Sequence, residues 1–132
     1  MSFTAIDHPA IACRDVRKQI AWYCENLGMR VIAMNGAEPP SAILGYDPDA
    51  RGGAVLELMP ARDAGPPPAE VARFSPGLRH LALRVGDFDA AMSQLRAGGA
   101  VFLGPPADNA LGGGRIVSFR DPEGNELQIV QR

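Results

Sequence analysis

Two imidazoles and two carboxylates stand at matching places in an internal repeat, and together they form a donor set for a divalent metal. The chain of 132 residues has two histidines. His8 opens the segment HPAIACRD and His80 opens HLALRVGD, 72 positions later; Asp15 and Asp87, which end these segments, are also 72 apart. Glu57 lies in AVLELMP and Glu126 in NELQIVQR, 69 positions apart. Neutral imidazoles with carboxylates suit Zn²⁺, Ni²⁺, Mn²⁺, Fe²⁺ or Co²⁺. Four such ligands, His8, Glu57, His80 and Glu126, leave coordination positions open for water or a chelating substrate. That makes the site catalytic in kind, since structural zinc sites are closed and usually rich in cysteine. Singly, a histidine at a strand start or a glutamate in a strand is more often structural; their joint recurrence favours the metal.

The elements that must position these residues also repeat. Each half reads as strand, helix and three strands. In the first, Ala5 to Arg14 is a strand candidate and Asp15 a helix N-cap, whose carboxylate can accept from first-turn amides. Val16, Ile20, Tyr23 and Leu27 recur at helical spacing, and Gly28 supplies a left-handed stop. Strands are expected over Arg30 to Met34, Ser41 to Tyr46 and Ala54 to Met59. The second half has a strand from His80 to Val85, a cap at Asp87, and an apolar stripe of Phe88, Met92 and Leu95 ended by Gly98-Gly99. Strands then follow over Ala100 to Leu103, Arg115 to Arg120 and Glu126 to Val130, the last two joined by the turn DPEGN.

Side chains alternate across a strand, so parity decides what each residue faces. Ile11 and Cys13 oppose His8, Leu81 and Leu83 oppose His80, Leu56 and Leu58 oppose Glu57, and Leu127 and Ile129 oppose Glu126. The large apolar residues should pack beneath the helix of each module, and the four candidates should share the other face, lining a cavity.

Bulk properties exclude other classes. The length suits one core, and 46% hydrophobic with 21% charged residues is ordinary for a globular protein. A net charge of −2 offers no electrostatic basis for binding nucleic acid or an anionic membrane. No apolar run reaches the roughly 18 residues of a spanning helix. The start MSFTAIDHPA lacks the basic and apolar regions of a signal peptide, and Cys13 and Cys24 form neither a metal spacing nor a disulfide framework, so a cytoplasmic location is expected. The organisation expected is a single domain over 1–132, with module 1 about 1–60, a proline-rich surface connector at 61–77 and module 2 about 78–132.

Paired βαβββ modules with His near the first strand and Glu in the last resemble the vicinal oxygen chelate superfamily, which includes glyoxalase I, methylmalonyl-CoA epimerase, extradiol dioxygenases, fosfomycin-resistance enzymes and bleomycin-binding proteins. The resemblance rests on FRDPEGNELQIV, IAWYCENLGMRV and the four ligand positions. It implies an α+β fold whose paired modules form a curled, cup-shaped mixed sheet, often in a homodimer. With two His and two Glu, the set is most similar to glyoxalase I, implying a metal-dependent lyase or isomerase that chelates vicinal oxygens of a small-molecule substrate. Glu126 or Glu57 would then move a proton between adjacent carbons. Glyoxalase I contacts glutathione through an arginine four residues after its first ligand and an asparagine four after its second. Ala12 and Ala61 stand at those places, which argues against a glutathione adduct, although Arg84, Arg115 or Arg120 could compensate.

An extradiol dioxygenase is the alternative enzyme; it needs a further histidine for proton transfer, and only Tyr23 and Tyr46 could substitute. Fosfomycin-type transfer would need phosphonate partners, and Ala10 stands where a threonine is required. Epimerases replace the first Glu ligand by Gln, so Glu57 argues against that activity. The non-enzyme alternative is a bleomycin-resistance-type ligand-binding protein. Such proteins have lost the ligands, and 6% aromatic content is poor for stacking a planar drug. LGGGR at Leu111 to Arg115 is expected to be a flexible hairpin loop, and the prolines at 66–68 a stiff linker.

Overall fold

The computed structural model describes residues 2–49 and 55–132. It divides into two compact units, Met1–Ala64 and Gly65–Arg132. The fold class is the expected α+β, with a βαβββ order in the first unit and the same order with one additional two-residue strand in the second.

In the first unit, β1 (Ala10–Cys13) leads into α1 (Val16–Leu27), then β2 (Arg30–Met34), β3 (Ala42–Gly45) and β4 (Val55–Pro60). The sheet order is β1-β4-β3-β2, with β1 parallel to β4 and the other pairs antiparallel. Asp15 caps α1 by accepting from the Lys18 amide, and Gly28 closes it in the left-handed region at φ 69°. Helix α1 lies against β1, β2 and β4. It buries Val16, Ile20 and Tyr23 with Cys13, Leu44, Leu56 and Leu58. Each fully buried aliphatic side chain contributes about 1.5–3 kcal/mol. Gln19 joins this buried face, which the apolar spacing did not anticipate, while Leu27 is half-buried. The strand expected from Ala54 begins, within the described residues, at Val55.

The second unit opens with a single 3₁₀ turn, Pro68–Glu70. There follow β5 (Leu81–Arg84), α2 (Phe88–Ala97), β6 (Val101–Phe102), β7 (Ala107–Asp108), β8 (Arg115–Arg120) and β9 (Glu126–Gln131). The order is β5-β9-β8-β6, with β7 pairing β8; β5 is parallel to β9 and the rest are antiparallel. Asp87 caps α2 through the Ala90 amide. Phe88, Met92 and Leu95 form the buried stripe, with Val117, Phe119, Leu127 and Ile129 beneath them.

Both histidines fall outside the strands expected to start at Ala5 and His80, because the parallel pairing begins only at Ala10 and Leu81. The DPEGN turn forms as expected. The Gly124 amide donates to the Asp121 carbonyl, and the Asp121 carboxylate accepts from the amides of Glu123 and Asn125. The stretch from 65 to 77 is more ordered than a linker. Ala69 of the 3₁₀ turn lies against Gly124, where an added Cβ would come within 3.0 Å of the Ala69 Cβ. LGGGR is likewise tied down, with Asn109 bonding the Gly113 and Gly114 carbonyls. A Cβ on Gly114 would sit 1.5 Å from the Gln131 carbonyl oxygen, so only glycine permits that approach.

Candidate metal centre

The faces of the strands divide as parity requires. Leu56 and Leu58 are buried and Glu57 between them is half-buried; Leu127 and Ile129 are buried and Glu126 and Gln128 lie on the opposite face. In the first unit this places Glu57 beside β1, where it is in register with Ala10 and its amide donates to the Pro9 carbonyl. His8, two residues before Ala10, reaches the carboxylate: Nε2 lies 3.2 Å from Glu57 Oε2. The other ring nitrogen, Nδ1, lies 2.7 Å from Asp7 Oδ2.

A carboxylate behind a histidine sets the ring's orientation and tautomer, an arrangement common around metal-ligating imidazoles. Each ring nitrogen of His8 faces a carboxylate, Nδ1 toward Asp7 and Nε2 toward Glu57. The hydrogen bond to Asp7 holds the imidazole above its usual value; desolvation opposes it, and the hydrogen bond to Glu57 adds a lesser rise. Imidazole nitrogen and carboxylate oxygen, pre-oriented and half-exposed, fit a divalent cation in donor chemistry.

The second unit is built differently. His80 Nδ1 is 3.9 Å from Glu126 Oε2, beyond hydrogen-bond distance. Both Glu126 oxygens are instead taken by Arg73, whose Nε donates to Oε1 at 2.6 Å and Nη2 to Oε2 at 3.0 Å. The Glu126 side chain is 7% exposed. Arg73 depresses its carboxyl below the usual range, more than desolvation raises it, with smaller help from His80 and Arg120. Among the described residues no three His, Cys, Asp or Glu side chains are grouped so as to hold one metal ion.

Sequence reasoning missed Arg73 because it lies in the stretch read as a connector. Its spacing from Glu126 carries no local signal, and only the turn at Ala72–Ser75 brings it over β9. The arginines nominated to compensate for Ala12 and Ala61 have other partners in two cases. Arg115 lies over the Phe88 ring at 4.3 Å and donates to Asp89, and Arg120 donates to the Gly124 carbonyl. Arg84 is exposed on β5. Tyr23 is fully buried, as its place in α1 implied, and the Tyr46 hydroxyl donates to the Leu27 carbonyl.

Comparison with known proteins agrees with this architecture. The profile of the Glyoxalase/Bleomycin resistance protein/Dioxygenase superfamily matches residues 5–129. The Bacillus subtilis (strain 168) protein YwkD is 33% identical over 132 residues, covering 100% of both chains. A probable lactoylglutathione lyase of Synechocystis sp. is 26% identical over 127 residues, 94% of this chain and 92% of that one. Among solved structures, a glyoxylase/bleomycin resistance protein/dioxygenase domain from Frankia sp. EAN1pec superposes with a TM-score of 0.74 at 24% identity. It covers 98% of this chain and 93% of that chain, a likeness of fold. No helix among the described residues is long and apolar enough to cross a membrane. The strand–helix–strands order of both units, the His and Glu placed by β1 and β4, and the profile match over nearly the whole length lead to one assignment: the chain belongs to the glyoxalase/bleomycin resistance protein/dioxygenase superfamily.

Proposed function

We propose that the protein is a metal-dependent lyase or isomerase of glyoxalase type, acting on a small molecule with vicinal oxygens. The observation that supports this most directly is the Asp7–His8–Glu57 arrangement, a pre-oriented imidazole and a carboxylate 3.2 Å apart. The donors are His8, Glu57 and His80, with a further oxygen from β9, where the sequence nominates Glu126. A divalent cation (Zn²⁺, Ni²⁺, Mn²⁺, Fe²⁺ or Co²⁺) held by these residues supplies Lewis-acid polarisation of the substrate oxygens.

Glu57 is the proton carrier. It is half-buried, borders His8, and can accept a proton from the carbon beside a polarised carbonyl. Glu126, the other nominated base, already accepts two hydrogen bonds from Arg73 and is less able to do so. Ala12 and Ala61 stand where glyoxalase I contacts glutathione, which argues against a glutathione adduct as the substrate. A homodimer in the cytoplasm completes this reading.

One experiment tests it. The full chain is stripped of metal, reconstituted with each cation, and offered α-hydroxyketones in D₂O while carbon-bound deuterium is followed by NMR. Near-stoichiometric metal and deuterium wash-in are expected, with Glu57→Gln slowing exchange on the order of 10²-fold or more. A chain that binds no metal, or a Glu57→Gln chain that exchanges normally, overturns the reading. The second reading, an extradiol dioxygenase, gains from the one freely available carboxylate, since two His and one carboxylate suit ferrous iron. It would show oxygen uptake with catechols.

A further inference from the structure

One face of the second unit's sheet packs beneath α2 through Val117, Phe119, Leu127 and Ile129. The other face is polar. Strand registers set Ala82, Gln128 and Ser118 in one row of it, and Glu126 and Arg120 in a neighbouring row. Arg84, two residues after Ala82 on β5, shares this face.

Charge on this face does not cancel. Glu126 is the one carboxylate that β5, β9 and β8 place there, and both of its oxygens are taken by Arg73. Among the described residues Arg84 and Arg120 form no ion pair. Arg120 Nη1 donates at 2.6 Å to the Gly124 carbonyl, a neutral acceptor. The scaffold does not demand these cations, since Ala12 stands on β1 at the place 72 positions before Arg84.

Arg120 is half-buried, and its bond to the Gly124 carbonyl fixes the plane of the guanidinium. The Nε–Nη2 edge is left without a protein acceptor among the described residues. That edge is a fork matched to the two oxygens of a carboxylate. Ser118 lies one pleat away on the same face, and its Oγ accepts from Gln128 Nε2 at 3.1 Å. Accepting there leaves the hydroxyl proton free to donate outward.

We infer that Arg120 and Ser118 on β8 bind a carboxylate group of the substrate, Arg120 through its Nε–Nη2 edge and Ser118 through its hydroxyl. The inference deepens the proposed function and rests on it for the identity of the anion as substrate: the molecule with vicinal oxygens is a small organic acid. Arg84 adds positive potential to the same face and draws such an anion in. A neutral diol or ketone would leave both guanidiniums without a counter-charge.

The test uses the full, metal-free chain at low salt, titrated with lactate and followed by amide NMR shifts. Lactate should move the signals of β8 around Ser118 and Arg120. Lactamide, its neutral counterpart, should bind on the order of tenfold more weakly, a comparison that needs no variant. Arg120→Lys keeps the charge but loses the fork and should weaken lactate about tenfold. Ser118→Ala should weaken it several-fold, and Arg62→Met, which removes an exposed arginine of the first unit, should change nothing. Lactamide binding as tightly as lactate overturns the inference, as do Arg120→Lys and Ser118→Ala chains that bind lactate normally. Inorganic phosphate binding more tightly than lactate overturns the assignment to a carboxylate. Cobalt uptake by the same chain is measured separately. Cobalt binding without lactate binding sinks this inference alone; lactate binding without cobalt uptake sinks the proposed function, and with it the anion's identity as substrate.

Discussion

Arg73 and Glu126, 53 positions apart in sequence, meet through two parallel hydrogen bonds of 2.6 and 3.0 Å. The carboxylate is buried and the guanidinium is about one-third exposed. This pair decides how the stretch before β5 is held, and it occupies a residue that the sequence nominates for chemistry.

Removing the arginine should be felt as lost stability. Arg73→Ala leaves a buried carboxylate without its partner, and a loss of about 1–3 kcal/mol is expected from denaturant unfolding at neutral pH. The effect has a pH signature. Glu126 is held below its usual value in the folded protein, so its contribution is full above the unfolded value, about 4.3. It is lost as pH falls through the lower folded value. The gap between wild type and Arg73→Ala should therefore close in acid; a constant gap would mean that the pair does not form in solution.

Asp7 should govern the titration of His8. The imidazole is raised chiefly by its hydrogen bond to Asp7, so Asp7→Asn should lower the midpoint seen in the ring-proton NMR signal of the metal-free chain. The sign for stability is opposite to that of Glu126. The charged pair is favourable below the unfolded histidine value, about 6.5, and that contribution disappears as pH rises through the higher folded value. An unshifted midpoint in Asp7→Asn would remove Asp7 from the site.

Gly124 carries a conformational and a steric demand together. Its φ is 91°, and an added Cβ would meet Ala69 Cβ at 3.0 Å and its amide nitrogen at 3.1 Å. Gly124→Ala should cost about 1–3 kcal/mol through backbone strain and displaced packing. Calorimetry gives the check. An unchanged melting temperature would show that the 3₁₀ turn does not lie on the β8–β9 hairpin.

Phe119 tests the core of the second unit. It is fully buried and in register with Leu127. Phe119→Ala should lose about 3–5 kcal/mol, measured by urea unfolding. A loss below 1 kcal/mol would contradict this burial.

Much of the architecture was legible from local chemistry. Asp15, Gly28 and Asp87 announce helix ends because capping depends on side chains and dihedrals close in sequence. The alternation around Glu57 and Gln128 announces two-faced strands, and DPEGN announces its own hairpin. The short β7 and the 3₁₀ turn at Pro68 escaped notice, since two or three residues carry no period.

By itself the sequence determined the strand and helix order of each half and the apolar faces, whose places follow from periodicity, while the contact between His8 and Glu57 came from the tertiary structure. Tertiary structure decided the partner of Glu126 and the register of β5 against β9. The physical reason is the pleat: residues two apart in a strand share a face, so alternation cannot choose between Glu126 and Gln128. Hydrogen bonding between neighbouring strands fixes the register, and it sets Ala82 beside Gln128.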